Sequence, residues 1–482
     1  MSEARVRPPS PARDDDRTMP ARIARSVAAV ENTPLGPVDV ESWFKDLGRR
    51  FPNQVERVPL DALSEWGTRP GSSDIVHRTG RFFAVEGLDV HIPKAPVPRW
   101  NQPIINQAEI GILGILAREF DGVLHFLMQA KFEPGNVNGF QLSPTVQATR
   151  SNYTRVHRGR PVPYVEYFTE TAKHRVIADV RQSEQGSWFH HKRNRNMVVE
   201  ADDVEAREGF QWLTLGQLHR LFAIDDLVNA DSRTVLSCLP FAGPGPDPRT
   251  DRFGSALVRS CTGEGGSLHG LDGILSWITD ARTRTELHVA RIPLGQVRGW
   301  HRTEEMIRHE SGRYFGVIGV DVTATGREIT QWSQPMIEPY GTGVIAFLVR
   351  EVAGTLHVLM HIRVEPGYVD VLELAPTVQC TPRNYEDLPA AAQPTFLDEV
   401  LNARPDQIRF DTVLSEEGGR FHHARNRHLV VEADPGFDTD HPDFRWMTLH
   451  QLVDLLRHSH YLNVQARSLI ACLHSLSGTA GA

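Results

Sequence analysis

The chain has 482 residues, of which 40% are hydrophobic and 23% charged, a composition typical of a folded globular protein with about two to four domains. Its formal net charge of −8 gives no overall basic field that would attract nucleic acid or an anionic membrane. No apolar run approaches the ~18 residues that a transmembrane helix needs.

The first elements predicted along the chain are a disordered tail and one amphipathic helix. Residues 1–21 are rich in Pro, Arg and Asp and lack the apolar stretch of a secretory signal, so we expect them to be disordered. "VESWFKDLGRRF" has helical spacing of its apolar residues, and "GRFFAVEGLDVHI" alternates like a strand.

The cysteines indicate a reducing compartment. Cys238, Cys261, Cys380 and Cys472 form no CxxC pair, which favours reduced thiols in a cytoplasmic protein.

A hairpin and two closing helices follow. "EIGILGILARE" and "VLHFLMQAKFE" flank Asp121-Gly122, a strong hairpin signal, and "FQLSPTVQA" is predicted to be a further strand. "LTLGQLHRLFAIDDLVNADSRTVLSCL" is predicted to form two helices. These patterns predict an α+β fold in which an antiparallel or mixed sheet is packed by helices.

The whole pattern then occurs a second time. "QLSPTVQATRSNY" begins at Gln141 and "ELAPTVQCTPRNY" begins at Glu373, 232 residues later, and the same offset relates the two "EPG" and "FHH" blocks. We therefore predict two duplicated domains, at residues 22–240 and 255–482, joined by a Pro/Gly-rich linker at 241–254. A period this long excludes a solenoid, whose repeats have ~20–50 residues.

One strand of the second repeat separates apolar from polar side chains. Alternation in "TLHVLMHIRVE" places Val358, Met360, Ile362 and Val364 on one face, and His357, Leu359, His361 and Arg363 on the other. The second face is expected to be polar or functional. A turn after this strand is expected to bring Glu373 near His361 or Arg363. A surface ion-pair cluster is the alternative.

Two further strings carry hydrogen-bond donors that suit a phosphate or a base edge. In the first repeat these are Thr149, Arg150, Ser151, Asn152 and Tyr153, and in the second they are Thr381, Arg383, Asn384 and Tyr385. Trp66 and Trp300 occupy equivalent positions and are candidates to cover a base or sugar. The alternatives are a locally capped turn and a core tryptophan.

The "HHKRNRN" and "HHARNRH" blocks raise the question of metal or anion binding. Adjacent His residues on a strand point to opposite faces, so we expect no metal site there. The basic side chains suit a diphosphate, which Arg holds bidentately. The candidate ligands are His191, Arg193, His423 and Arg425. A solvated basic loop is the alternative.

The strings "EPGNVNGFQLSPTVQATRSNY", "EPGYVDVLELAPTVQCTPRNY" and "FHH.RNR" resemble those of the NDP-hexose 2,3-dehydratases of deoxysugar biosynthesis, and the resemblance extends over nearly the whole chain. The resemblance implies two domains like those of Nudix hydrolases, a homodimer, and dTDP-4-keto-6-deoxyglucose as substrate. It also implies two nucleotide-sugar pockets, of which one is catalytic, and a ketoreductase that consumes the labile product. No Nudix box is evident in the sequence.

The difference between the two repeats favours the second repeat as the catalytic one. Where the second repeat has His361 and Glu373, the first has Gln129 and Gln141, which exchange no protons near neutral pH. Glu373 and His361 are therefore the candidate acid/base groups, with Arg363 steadying an enolate or diphosphate. Lys131 of the first repeat is the counter-candidate, because a buried Lys can serve as a base.

Two other functions remain open. One is a Nudix-type nucleotide-sugar hydrolase, which would release dTMP or sugar phosphate with Mg²⁺. The other is a non-catalytic nucleotide-sugar binding protein, which would leave its ligand unchanged.

The reaction implied by the resemblance needs neither a nicotinamide nor a metal, because water is lost with an internal redox change. We therefore expect dehydration to survive EDTA in an activity assay. Loss of activity that Mg²⁺, Mn²⁺ or Zn²⁺ restores would instead identify the His-His blocks as ligands.

Overall fold

The computed structural model describes residues 19–31, 33–153, 161–240, 251–325, 329–434, 436–437 and 439–478; the side chain of Asn152 lies outside this description. Most of the predicted tail and linker also lies outside the described residues. The tail prediction is too long, since the first helix begins at Met19. The linker prediction is too long as well, since a helix begins at Arg252 behind the N-cap Asp251, whose side chain accepts from the Gly254 amide.

Where the structure describes it, the first repeat contains six α-helices and thirteen strands. The helices are α1 (Met19–Ala28), α2 (Val40–Arg50), α3 (Arg150–Tyr153), α4 (Val165–Thr169), α5 (Leu215–Leu221) and α6 (Ala230–Leu236). The strands are β1 (Asn53–Val58), β2 (Trp66–Thr68), β3 (Ile75–His77), β4 (Ala84–His91), β5 (Arg99–Asn106), β6 (Gly111–Phe120), β7 (Val123–Phe132), β8 (Phe140–Ser143), β9 (Val146–Ala148), β10 (Arg175–Ser183), β11 (Phe189–His190), β12 (Arg193–Glu200) and β13 (Phe210–Thr214).

The second repeat follows the same order within the described residues. Its helices are α7 (Arg252–Thr262), α8 (Leu271–Arg284), α9 (Leu397–Leu401), α10 (Leu449–Leu456) and α11 (Val464–Ser475). Its strands are β14 (His288–Ile292), β15 (Trp300–Arg302), β16 (Met306–His309), β17 (Phe315–Ala324), β18 (Gln331–Pro339), β19 (Gly343–Val352), β20 (Thr355–Val364), β21 (Leu372–Ala375), β22 (Val378–Cys380), β23 (Ile408–Ser415), β24 (Arg425–Glu432) and β25 (Phe444–Met447).

Each repeat contains a seven-stranded mixed sheet. In the first repeat the order is β10-β12-β6-β7-β13, with β8 beside β7 and β9 beside β6, and the second repeat reproduces it as β23-β24-β19-β20-β25 with β21 and β22. The β12/β6 and β24/β19 pairs are parallel, and the other pairs of these sheets are antiparallel. The predicted mixed α and β architecture is therefore confirmed.

The predicted hairpin turns are confirmed. Asp121 and Gly122 both have positive φ, as do Ala353 and Gly354, and each pair joins two strands in register. Two consecutive left-handed residues give the twist that a two-residue hairpin requires.

The predicted strand "FQLSPTVQA" is instead two short strands, because Pro144 has no amide hydrogen to continue the ladder. The Thr145 hydroxyl accepts from the Leu116 amide (2.9 Å) and donates to the Leu127 carbonyl. These bonds attach the segment between β8 and β9 to strands β6 and β7.

The two repeats exchange strands at two smaller sheets. Strand β1 of the first repeat pairs antiparallel with β17 of the second, and β14 of the second repeat pairs antiparallel with β4 of the first. The described residues thus form four sheets, and two of them contain strands from both halves.

One hydrophobic core is shared by both large sheets. A single buried cluster contains Phe126 and Met128 of β7 together with Val358 and Met360 of β20. The predicted closing helices are confirmed as α5, α6, α10 and α11, and α6 packs directly against α11. In the part of the chain that the structure describes, no helix is long and apolar enough to cross a membrane.

The repeated "EPG" turns cross from one repeat to the other. The Gly135 amide donates to the Gly418 carbonyl (2.7 Å), and the Gly367 amide donates to the Gly186 carbonyl (2.8 Å). A Cβ at Gly135 or Gly367 would collide with the backbone carbonyl of Phe421 or Phe189. Only glycine permits so close an approach, so these turns are required by the packing of the repeats.

Candidate active site

A cavity of about 740 Å³ lies in the first repeat and is completed by residues of the second. Its volume suits a ligand of nucleotide-sugar size, since small-molecule sites typically have ~300–1,000 Å³. Trp66, Phe82 and Phe83 contribute aromatic surface from the first repeat, and Trp332 contributes it from the second. The cavity wall also includes three arginines, Arg78, Arg81 and Arg420.

Lys131 and Glu133 occupy the part of the cavity formed by the end of β7. The Lys131 ammonium donates to the Gln147 carbonyl (2.9 Å) and lies 3.6 Å from the Glu133 carboxylate. The Gln147 amide donates to the same carboxylate (2.9 Å) and accepts from Asn229 (3.1 Å). These bonds fix the amine and the carboxylate side by side at the cavity wall.

Glu184 and Lys192 form a second acid and amine pair in the cavity. Asn194 donates to the Glu184 carboxylate (2.7 Å), and the Lys192 ammonium donates to the Glu109 carbonyl (2.7 Å). Burial raises the pKa of Glu184, against the charges of Arg467 and Lys192 and the hydrogen bond from Asn194. Burial lowers the pKa of Lys192 to about 8, against the charges of Glu184 and Glu109.

Asp231 and Glu417 add two more carboxyl groups, one from each repeat. Burial, with the charges of Glu184, Glu417 and Glu133, raises the pKa of Asp231 well above its usual range. Burial and the Glu133 and Glu184 carboxylates raise the pKa of Glu417 to about 7, against Arg420 and Lys131. Carboxyl groups with such shifted pKa values are suited to exchanging protons near neutral pH.

The equivalent positions in the second repeat have lost most of these ionisable groups. Glu133, Glu184 and Arg81 are retained as Glu365, Glu416 and Arg313, but other charged residues differ. The substitutions, with the first repeat's cavity residue given first, are Lys131 to Arg363, Lys192 to Ala424, Asp231 to Gln465, Glu417 to Gln185 and Arg420 to Trp188.

The space beside Arg363 is partly filled in the second repeat. Tyr368, at the position of Asn136, is buried, its hydroxyl accepts from Asn463 (3.2 Å), and a Cβ on Gly186 would meet its ring. The structure therefore places the richer acid/base chemistry in the first repeat.

Glu373, the acid/base candidate of the second repeat, does not line this cavity. It is fully buried at the interface between the repeats, where the Ser183 hydroxyl donates to its carboxylate (2.5 Å). Its counterpart Gln141 accepts from Ser415 in the same way (2.8 Å). The expected alignment of Glu373 opposite Arg363 is confirmed, but Arg363 instead pairs with Glu365 (2.7 Å).

His361 stacks flat on Phe444, with 4.4 Å between ring centroids. Burial, with the Arg363 charge, lowers the pKa of His361 to about 3. The expectation of a polar face on this strand is wrong for His357 and Leu359, which are both buried. The apolar face of the same strand is confirmed, since its residues pack in the shared core.

Only part of the proposed base and phosphate clamp lies at the cavity. Trp66 and Thr149 line it, whereas the Ser151 amide and hydroxyl both donate to the Glu109 carboxylate (2.7 and 2.9 Å), which comes from the segment before β6. Tyr153 packs against the core of its own repeat. In the second repeat, Asn384 accepts from the Tyr314 amide (3.0 Å), and the indole of Trp300 donates to the Asn101 carbonyl (2.9 Å).

Three of the remaining candidates for the base and phosphate clamp also lie outside the cavity lining. Arg150 is exposed at the start of α3, Arg383 accepts from Arg313 through its carbonyl, and Tyr385 packs beside the core of the second repeat. Thr381 is half-buried just after β22.

The histidines and arginines of the His-His blocks do not line the cavity, although Lys192 and Asn194 of the first block do. The histidine rings stack on each other, 4.0 Å apart for His190 and His191, because His191 has a positive φ and turns the chain at the end of β11. The expectation that the two rings point to opposite faces is therefore wrong. The His191 amide donates to the Gly367 carbonyl, and the His423 amide donates to the Gly135 carbonyl.

The arginines of these blocks flank the large sheets. Arg425 pairs with Asp226 (2.6 Å), and Arg193 is half-buried at the start of β12. Within the described ranges, no group of three or more His, Cys, Asp or Glu side chains is placed to hold a metal ion. All four cysteines are free thiols.

Sequence reasoning missed Lys192, Asp231, Glu417, Arg78 and Arg81 as site residues. The signal for the first three was present, because each changes to an uncharged residue in the other repeat. An alignment of the repeats shows that Glu417 replaces Gln185, but it does not show that Glu417 reaches the cavity of the first repeat from the second.

A family model described as NDP-hexose 2,3-dehydratase matches the chain twice, at residues 38–239 and 271–473. The chain belongs to the NDP-hexose 2,3-dehydratase family. The two matched regions contain the two large sheets, and the first contains Lys131, Glu133, Glu184 and Asp231.

Three relatives with the same name support this membership. Each is named dTDP-4-dehydro-6-deoxy-alpha-D-glucopyranose 2,3-dehydratase. The Saccharopolyspora spinosa protein is 50% identical over 94% of this chain and 95% of its own length, and the Amycolatopsis orientalis protein is 49% identical over 94% and 93%. The Streptomyces violaceoruber protein is 48% identical over 90% of this chain and 96% of its own.

Proposed function

We propose that this dehydratase removes the C2 hydroxyl of dTDP-4-keto-6-deoxy-D-glucose as water and yields a dTDP-3,4-diketo-2,6-dideoxyhexose. The observation that carries the proposal is the cavity in which Lys131 and Lys192 lie with the carboxyl side chains of Glu133, Glu184, Asp231 and Glu417. Family membership and the names of three relatives of similar length support the substrate and the hydro-lyase reaction.

The dehydration requires two proton transfers and stabilisation of one negative charge, and a tautomerisation follows. The C4 ketone acidifies the C3 proton, and a base removes it to leave an enolate. The C2–O bond then breaks as an acid protonates the departing hydroxyl, and the resulting enol becomes the C3 ketone when C2 takes up a proton and the C3 hydroxyl loses one. The carbon skeleton loses one water and no external oxidant is consumed, so one base, one acid and one enolate-stabilising donor suffice.

We assign these roles to groups of the first cavity. Glu184 is the base, because the Arg467 and Lys192 charges and the Asn194 hydrogen bond favour its carboxylate form. Asp231 is the acid, because burial among other carboxylates keeps it protonated. Lys131 donates to the enolate oxygen. Burial raises the pKa of both carboxyl groups, but the nearby cations and the Asn194 hydrogen bond oppose the rise at Glu184, whereas the neighbouring carboxylates raise the pKa of Asp231 well above its usual range. Two carboxyl groups that differ in this way can divide the roles of base and acid.

The cavity wall offers a separate region for the nucleotide. Trp66, Phe82 and Trp332 provide aromatic surface for the base, and Arg78 and Arg81 provide guanidinium groups for a diphosphate. These arginines replace His191 and Arg193 in our assignment of the diphosphate ligands.

Three further proposals rest on the family resemblance. We propose that each repeat has a Nudix-like fold, that the protein is a homodimer, and that a ketoreductase consumes the labile diketo product. The separate assignment of Glu373, His361 and Arg363 to catalysis stays a prediction, which the variants described in the Discussion decide.

The decisive assay incubates the enzyme with dTDP-4-keto-6-deoxyglucose, a 3-ketoreductase and NADPH, and then analyses the nucleotide sugar by mass spectrometry. We expect a product that has lost one water and gained the reductase's two hydrogens. Release of dTMP or sugar phosphate would identify a hydrolase. Stoichiometric binding with unchanged ligand would identify a binding protein.

Trp66→Ala is expected to weaken dTDP binding, because stacking of a base on an aromatic ring contributes ~1–3 kcal/mol. The dissociation constant of the first cavity should therefore rise roughly 5- to 150-fold in a calorimetric titration. Trp300→Ala is the matched control, since Trp300 packs on Phe315 as Trp66 packs on Phe83. Equal losses in both variants, confined to folding stability, would contradict a role for Trp66 in stacking.

A further inference from the structure

Two fully buried arginines join the repeats where α6 packs on α11. Arg467 of α11 donates to the Thr234 hydroxyl (2.6 Å) and to the carbonyls of Leu462 (2.7 Å) and Ser183 (2.5 Å). Arg233 of α6 makes the mirror set with Ser468, Val228 and Ser415. Each guanidinium therefore holds the end of a strand that belongs to the other repeat.

The strand end that Arg467 holds leads directly into the cavity. Ser183 is the last residue of β10, and the next residue is Glu184, the proposed base. Two more bonds from the second repeat hold this segment: Gln182 donates to the Leu456 carbonyl (2.9 Å), and the Ser183 hydroxyl donates to Glu373 (2.5 Å). The second repeat thus contributes to the position of Glu184, together with the bonds that join Glu184 to Lys192 and Asn194 of its own repeat.

We propose that Arg467 is a positioning residue for the dehydration: it fixes the Ser183 backbone so that Glu184 faces the cavity, and its charge favours the carboxylate form of Glu184. This inference rests on the proposed role of Glu184 as base. It assigns the second repeat a part in the chemistry of a cavity that lies in the first.

The charges around Glu184 support this role. Arg467 of α11 and Lys192 face it as cations, and Glu416, Glu417 and Asp231 face it as carboxyl groups from two other segments. Burial raises the pKa of Glu184, and Arg467 is the strongest of the influences that oppose the rise. Without Arg467 the carboxylate form would be favoured only at higher pH.

Arg467→Met is therefore expected to move the acidic limb of the kcat/KM profile to higher pH by ~1 unit, because an opposite charge shifts a nearby carboxyl pKa by about 1–3 units. Arg467→Lys keeps the positive charge but loses the planar guanidinium that donates to Thr234, Leu462 and Ser183 together. Its acidic limb should stay in place while kcat falls. Calorimetry should give an unchanged affinity for dTDP in both variants.

Arg233→Met and Arg233→Lys are the matched controls, because Arg233 has the same burial and an equivalent set of bonds but holds the segment before Glu416. They should lower the melting temperature by as much as the Arg467 variants and leave the acidic limb in place. Thr234→Val, which removes the acceptor of the Arg467 Nε and a long bond from the Thr234 hydroxyl to Asn196 (3.4 Å), is a milder variant for use if the Arg467 variants fail to fold. It should lower kcat with unchanged dTDP affinity.

The outcomes separate this inference from the proposed function. If Glu184→Gln retains normal turnover, the role of Glu184 as base fails, and the inference fails with it. If Glu184→Gln is inactive but the Arg467 and Arg233 variants have the same pH profile, Arg467 is a purely structural residue and only the inference fails. Normal kcat in Thr234→Val together with a failure of the Arg467 variants to fold would also overturn it.

Discussion

Glu184→Gln is expected to lower kcat by ~10²–10⁴, the usual loss when a general base is removed. The substitution keeps the shape of the side chain and its bond from Asn194, so dTDP affinity should stay near that of the parent enzyme. Steady-state kinetics with the coupled ketoreductase measure the first quantity, and calorimetry measures the second.

Glu416→Gln provides the matched control. Glu416 is the counterpart of Glu184, is equally buried, and receives the equivalent bond from Asn426 (2.6 Å). Its variant should lose comparable stability and retain most of the turnover. The reverse pattern, with Glu416→Gln inactive and Glu184→Gln active, would place the chemistry in the second repeat.

Lys131→Met is expected to abolish most turnover, again by ~10²–10⁴ in kcat, because the proposed enolate loses its cationic donor. Removal of the ammonium also leaves Glu133 without its partner at 3.6 Å. Binding of dTDP should change little, since the aromatic and guanidinium groups proposed for the nucleotide remain.

Glu373→Gln and His361→Gln complete this set. An amide oxygen at position 373 can accept from Ser183 as Gln141 accepts from Ser415, and a His with a pKa near 3 is neutral at the pH of the assay. Both variants should therefore keep near-normal turnover. If both lose activity while Lys131→Met keeps it, the original assignment to the second repeat holds.

The sequence predicted the duplication, the hairpins and the closing helices because each depends on local patterns. It did not predict the structural roles of the residues in the repeated strings. Thr145 in "PTVQ" bridges two strands, Gln147 orients Glu133, and Gly135 in "EPG" permits contact between the repeats. These residues recur because both repeats need them to fold, so their recurrence does not by itself indicate ligand binding.

The candidate site was harder to predict because its residues come together only in three dimensions. Lys192 and Asp231 lie far apart in sequence, and Glu417 and Arg420 enter from the other repeat. The informative signal was the opposite of recurrence: ionisable residues present in one repeat and replaced in the other. Gln141 and Glu373 also differ in this way, but both are buried in equivalent bonds to serine, so not every such difference marks the site.

The exchange of β1 and β14 makes the two halves of the chain inseparable in practice. A fragment ending near residue 240 would keep β4 but lose β14 from beside it, and its own β1 would have no β17 to pair with. Unpaired strand edges of this kind recruit other chains and lead to aggregation. An ancestor with a single copy would have needed two polypeptides to form the same four sheets, so fusion of the copies converts an assembly step that depends on concentration into folding within one chain.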